Sequence, residues 1–168
     1  MRALLISLLL IALPVGAADL SAMRAEPLSG DAASFSLTDL AGNSHELSEW
    51  RGKLVLINFW ATWCGPCRTE MPGIERLWQR YRDQGLVILA ISVDEGMERR
   101  IATFVKRLNL SLPILLDPES KVADHYQVSG LPHSVLIDQE GHLIAQIIGE
   151  RQWDSPEAYQ LIEQLLEP

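Results

Sequence analysis

Two continuous apolar runs, Leu54–Trp60 and Leu86–Val93, dominate the hydropathy of the chain. Neither alternates with polar residues, so both read as strands buried on two faces, the environment of a central parallel sheet. Between them Met71, Ile74, Leu77, Trp78 and Tyr81 recur at helical spacing up to Gly85, which predicts an amphipathic helix with a glycine stop. Pro72 falls inside that helix and predicts a kink, because it lacks an N–H and crowds the preceding turn. Upstream, Phe35-Ser36-Leu37 and His45-Glu46-Leu47 alternate on either side of a turn at Asp39–Asn43, the pattern of a hairpin at a sheet edge.

Downstream, Ile101, Phe104, Val105 and Leu108 mark a second amphipathic helix, with Arg99, Arg100, Lys106 and Arg107 as its solvated face. A short strand at Ile114–Leu116 and a short helix over Pro118–Tyr126 follow. Gly130-Leu131-Pro132 breaks the chain before a strand at Ser134–Ile137. A hairpin turn at Gln139-Glu140-Gly141 leads into the strand Leu143–Ile148. The last helix, Pro156–Leu166, has a capping oxygen before it and proline at its first position. Strands alternating with helices predict an α/β fold, a central sheet covered on both faces.

Composition narrows the class. A chain of 168 residues with 48% hydrophobic content supports one core, and a net charge of −8 argues against a nucleic-acid or anionic-membrane surface. At the N-terminus Arg2, the apolar stretch Ala3–Leu13 and the small residues Val15-Gly16-Ala17-Ala18 have the order of a secretory signal. Eleven apolar residues fall short of the roughly 20 that a spanning helix needs, so contact with a membrane is expected only through an uncleaved signal. The expected organisation is a signal peptide at 1–18, a flexible leader at 19–32 and one domain at 33–168, acting as a monomer.

The chemistry concentrates at Cys64 and Cys67, the only cysteines, which stand where the first apolar strand gives way to the first helix. At three-residue spacing on a helical turn their Cα atoms fall about 5 to 6 Å apart, within reach of a disulfide. A helix start also has unpaired N–H groups and the positive end of the macrodipole, and both stabilise a thiolate. So close a pair points to redox or metal chemistry rather than to a staple. Asp94-Glu95, after the second long strand, read as a cap for the next helix. No phosphate loop or hydrolase triad pattern occurs, and no cofactor is called for.

Trp63-Cys64-Gly65-Pro66-Cys67 resembles the thioredoxin active-site motif letter for letter. Around it stand Asn58-Phe59-Trp60-Ala61-Thr62-Trp63, Pro72 five residues after the second cysteine, and the Gly130–Pro132 turn before a late strand. The wider pattern resembles the secreted TlpA/ResA/DsbE branch of that family: a signal, a leading hairpin, CRTEMP after the motif, ISVDE, an inserted helix region at 95–126 and VSGLPHSVLID. The resemblance covers residues 33–166. It implies a thioredoxin-like fold, a mixed sheet flanked by helices with an N-terminal hairpin and an inserted helix region, and the activity of a thiol–disulfide oxidoreductase.

By position, the resemblance makes Cys64 the attacking thiolate, Cys67 the buried resolving thiol and Pro132 a cis-proline facing the disulfide. Glu70 matches an acidic residue near the thiols, although as a first-turn glutamate it would equally suit the helix dipole. Trp63 and Trp60 would shield and pack the site, with Gly65 and Pro66 shaping the turn. Two positions depart from the family. Asn58 stands where thioredoxins have a buried aspartate, which leaves Glu70 or water to handle protons at Cys67. His133 follows Pro132, where threonine is frequent, and alternation along the strand turns it away from the sulfurs.

The branch further implies a periplasmic reductase of client-protein disulfides, of the cytochrome c maturation or copper-site assembly type, recharged by a membrane thiol donor of the DsbD/CcdA type. Two other classes compete with it. A peroxiredoxin-like thiol peroxidase would use the same region, but Thr62-Trp63-Cys64 lacks the proline expected before a peroxidatic cysteine. A non-enzymatic Cu(I) carrier would use Cys64, Cys67 and His133, since soft thiolates favour that ion.

Overall fold

The computed structural model of the protein describes residues 18–167. Apart from Ala18, the expected signal segment therefore lies outside the described residues. One sheet of eight strands organises the domain: β1 (Glu26–Pro27), β2 (Ser36–Asp39), β3 (Ser44–Glu46), β4 (Leu54–Trp60), β5 (Leu86–Ser92), β6 (Ile114–Leu116), β7 (His133–Ile137) and β8 (Leu143–Ile148). Their order across the sheet is β1-β8-β7-β4-β5-β6-β2-β3. The pairs β4–β5 and β5–β6 are parallel and the rest antiparallel, so the sheet is mixed.

The two apolar runs form the centre. Every residue of β4 and β5 is buried, as a sheet with both faces covered requires. Four helices complete the fold: α1 (Gly65–Tyr81), α2 (Glu98–Leu108), α3 (Lys121–His125) and α4 (Pro156–Leu166). One face of β4 and β5, bearing Leu54, Leu56, Trp60, Leu86 and Ile88, packs under α1, α2 and α4. The other, bearing Val55, Ile57, Phe59, Leu89 and Ile91, packs against α3 and the hairpin region through Phe35, Leu47 and Tyr126. Burying each such aliphatic or aromatic side chain is worth about 1.5–3 kcal/mol, so the central strands anchor whatever is built on their ends.

Most expected elements stand where the pattern puts them, with three differences. Residues 19–32, expected as a flexible leader, include β1 at the sheet edge on β8, and Met23 is buried against the α1 face. Its apolar side chain has no partner nearby in sequence, so periodicity could not reveal this packing. The short helix is confined to α3, because Asp117 receives the Ala123 N–H and holds Pro118–Ser120 as a turn instead. Asp94 does not cap α2, whose N-cap is Met97. Helix α1 runs through Pro72 to Tyr81 as one element. At Gly73 it closes on the loop before α4, where an added Cβ would lie 3.1 Å from Asp154 Oδ1.

Candidate active site

The parallel strand β4 delivers the chain to the sheet end where β7 begins, and the cysteine turn follows directly. Cys64 is the N-cap of α1 and Cys67 lies in its first turn. They form a disulfide with Cα atoms 5.3 Å apart. The Cys67 backbone N–H donates to Cys64 Sγ at 3.2 Å, so one of the free N–H groups of the helix start is aimed at the first sulfur. Cys67 is fully buried and Cys64 is 6% exposed. A partner sulfur can therefore approach Cys64 and not Cys67. Pro66 sits at the start of the helix, where its missing N–H costs nothing.

Trp63 is 60% exposed, an outward aromatic beside the disulfide rather than a shield over it. Trp60, by contrast, is fully buried and packs on Phe104 of α2 with ring centroids 5.1 Å apart. The Leu131–Pro132 bond is cis. Pro132 is buried and precedes the Phe59–His133 rung, at the same sheet end as the cysteine turn.

Glu70 lies one turn along α1 from Cys67 and is buried. It stands beyond the first turn of α1, the turn in which the helix dipole would favour an acid. Asn58 Nδ2 donates to Glu70 Oε1 at 2.8 Å and to Ser134 Oγ at 3.0 Å. Glu70 Oε2 accepts from the Arg151 backbone N–H at 3.0 Å and from Trp153 Nε1 at 3.2 Å. Burial pushes the carboxyl up to about 7, against the pull of these donors, which favour the charged form. The result is a carboxyl able to take or give a proton near neutral pH, tied to the residue that replaces an aspartate. An amide offers both a donor and an acceptor, so Asn58 can serve either form of Glu70 by turning over.

His133 lies on the other face. It is buried edge-on to Phe59, at a centroid distance of 6.4 Å, and neither ring nitrogen has a hydrogen-bond partner. Burial lowers its affinity for a proton. The three-ligand copper set of Cys64, Cys67 and His133 is therefore split across the sheet.

Four contributors are not among the site residues that the sequence points to. Ser134, Arg151 and Trp153 hold the Asn58–Glu70 pair from β7 and the loop after β8. Asp94 is buried and pins the turn before Cys64. It accepts the Thr62 N–H at 2.7 Å, the Thr62 hydroxyl at 2.5 Å and the Ser92 hydroxyl at 2.8 Å. Its place in the ISVDE stretch at the end of an apolar strand is the signal the sequence offers, and by position alone that suggests a helix cap.

The arrangement has relatives. Residues 29–146 match the model of the AhpC/TSA family. The thiol-disulfide oxidoreductase ResA of Bacillus cereus is 40% identical over 129 residues, which are 77% of this chain and 74% of that protein. ResA of Geobacillus thermodenitrificans is 38% identical over 151 residues, 89% of this chain and 86% of that one. Among solved structures, a protein assigned as thiol:disulfide interchange protein DsbE of Chlorobium tepidum superposes with a TM-score of 0.76 at 28% identity, covering 84% of this chain and 99% of that chain. A thiol:disulfide interchange protein from Bacteroides sp. gives 0.73 at 26% identity, over 85% and 92%.

Proposed function

The chain belongs to the AhpC/TSA family and, within it, to the ResA-like thiol–disulfide oxidoreductases, and from that premise we propose that it reduces client-protein disulfides in the periplasm. The observation that carries the reading is the Cys64–Cys67 pair at the start of α1, one sulfur accessible and the other buried one helical turn from an acid poised near neutrality.

In this mechanism the Cys64 thiolate, favoured by the helix start, attacks one sulfur of a client disulfide. That S–S bond breaks, the first client thiolate leaves, and a Cys64–client mixed disulfide forms. Cys67 passes its proton to the Glu70 carboxylate and its thiolate attacks Cys64 Sγ. The second client thiolate leaves and takes up the proton held by Glu70. Two electrons have moved to the client, and the chain is left with the Cys64–Cys67 disulfide. A dithiol donor of the DsbD/CcdA type returns it to the reduced form. Trp63, Gly65, Pro66 and Pro132 shape the surface that meets the client.

The order of residues 1–18, that of a secretory signal, supports the periplasmic assignment; among the described residues no helix is long and apolar enough to cross a membrane. The Gly-Pro dipeptide between the cysteines is that of thioredoxin, whose potential is about −270 mV against about −120 mV for the oxidant DsbA. Clients of the cytochrome c maturation or copper-site assembly type are those that the family resemblance of the sequence implies.

Trapping with Cys67→Ala tests the reading. The variant accumulates a mixed disulfide with its client in periplasmic extracts, while Cys64→Ser traps none. Equal trapping by the two variants would reverse the roles of the cysteines. A potential more positive than about −180 mV, that of the isomerase, would reverse the direction of the reaction. Peroxide consumed faster by the reduced protein than by Cys67→Ser with free thiol would favour the peroxidase class.

A further inference from the structure

The basic face of α2, which the sequence presents as solvated surface, is one wall of a groove of about 480 Å³ beside the cysteine turn. Arg99, Arg100 and Arg107 come from α2, Arg68 from the first turns of α1, and Thr62 and Met97 line the groove with them. Thr62 is two residues from Cys64, and Arg68 follows Cys67 directly. Two of the lining residues thus flank the cysteine turn in the chain, while the cysteines themselves do not line the groove. Met97, which lines it, and Trp63, next to Thr62 in the chain, are exposed hydrophobic side chains.

The chain has a net charge of −8, yet four guanidinium groups line this one groove, and none of them is in an ion pair among the described residues. Arg107 lies over the Phe104 ring at 5.5 Å and Arg100 reaches Met97 Sδ at 3.7 Å. The neighbouring acids do not neutralise them. Asp94 is turned inward to Thr62 and Ser92, and Glu95 and Glu98 do not line the groove. Four like charges held together cost self-repulsion, and a carboxylate-rich ligand relieves it. Guanidinium groups are also the donors best matched to carboxylates, which they can hold with two parallel hydrogen bonds.

We propose that this groove docks an acidic segment of the client polypeptide, lying next to the disulfide that Cys64 attacks. The proposal rests on the disulfide-exchange reading and adds what selects the client. The exposed Trp63 and Met97 cover the segment joining the acidic stretch to the disulfide, and the arginines set its direction across the site.

Matched disulfide-bonded peptides, one flanked by aspartates and one by serines, test the proposal with the reduced protein. The acidic peptide is reduced with a kcat/KM about tenfold higher at low salt, and the preference shrinks as salt screens it. In Arg99→Glu/Arg107→Glu the acidic-to-neutral ratio falls to one or below, and in Arg99→Lys/Arg107→Lys a preference persists. An unchanged ratio in the charge-reversed protein, or no preference in the wild type, would overturn the proposal. A second measurement is independent of redox chemistry: calorimetric titration of the oxidised protein with a cysteine-free acidic peptide. Binding that is lost in the charge-reversed protein supports the groove even where neither peptide is reduced, a result that would count against the disulfide-exchange reading alone. Binding to vesicles containing anionic lipid, with none to the peptide, would assign the patch to a membrane surface and overturn the proposal.

Discussion

Glu70 and His133 are both buried ionisable side chains, and both meet the same two strands, yet their surroundings are opposite. Asn58–Ser134 and Phe59–His133 are successive rungs of the β4–β7 ladder. The pleat sends one rung to the thiol face and the next to the far face. On the thiol face burial raises the Glu70 carboxyl to about 7, against three donors, from Asn58, Arg151 and Trp153, that hold it in place. On the far face the His133 imidazole meets Phe59 and no hydrogen-bond partner, and burial lowers its affinity for a proton. Burial alone therefore does not make a residue part of a redox site. The donors around it and the face it occupies do.

The largest effect separating the two residues lies in catalysis. Glu70→Gln lowers kcat/KM for insulin disulfide reduction at neutral pH by about 100-fold, the range of a positioned acid or base, and removes the inflection near pH 7 from the rate profile. A profile unchanged by the substitution would take Glu70 out of the proton path. His133→Leu leaves both rate and profile within about twofold, less than any general acid or base contributes.

Stability against pH separates them next, with opposite signs. For Glu70 the folded carboxyl sits near 7 against an ordinary 4.5. Its contribution is fully present below pH 4.5 and is lost as pH rises toward 7, by up to about 3 kcal/mol. Denaturant titrations across that window show the loss in the wild type and not in Glu70→Gln. A flat wild-type curve would mean that the carboxyl is charged throughout.

Between these effects and the smallest stands Asp94, the polar anchor of the cysteine turn. Asp94→Asn keeps the size and loses charge-assisted bonds to the Thr62 N–H and hydroxyl, at a cost of about 1–3 kcal/mol in unfolding experiments. The disulfide exchange rate falls with it, because Thr62 no longer fixes the turn into Cys64.

His133 gives the smallest change. Its folded pKa lies below the ordinary 6.5, so its contribution is present above pH 6.5 and is lost as the pH falls below it. His133→Leu removes that acid-side loss, and the two unfolding curves converge above about pH 7. Persistence of the loss in the variant would trace it to another group.

Much of this was legible in the chain. The central strands, the active-site helix, the edge hairpin and the last helix follow from periodicity and from stop signals such as Gly85, whose φ of 107° suits glycine. The direction of His133, away from the sulfurs, followed from strand alternation. Trp63 and Asp94 did not. An aromatic beside a CxxC motif can pack inward or face a partner, and an acid after a strand can cap a helix or turn back to the preceding loop. The choice depends on neighbours distant in sequence. Arg68 likewise joins the α2 arginines only because α1 and α2 cover the same sheet face.

By itself the sequence determined the disulfide pair and its place at a strand-to-helix turn, because a three-residue spacing and a helix start are local geometry. Tertiary structure decided what surrounds that pair. Burial raises the Glu70 carboxyl to about 7, while Asn58, 12 residues away, and Arg151 and Trp153, 81 and 83 residues away, hold it by hydrogen bonds, and these meet only when β4 pairs with β7 in one register and the loop after β8 closes over α1. Hydrophobic period specifies which face of a strand is buried. The polar partner waiting on that face is set by the long-range register that brings the strands together.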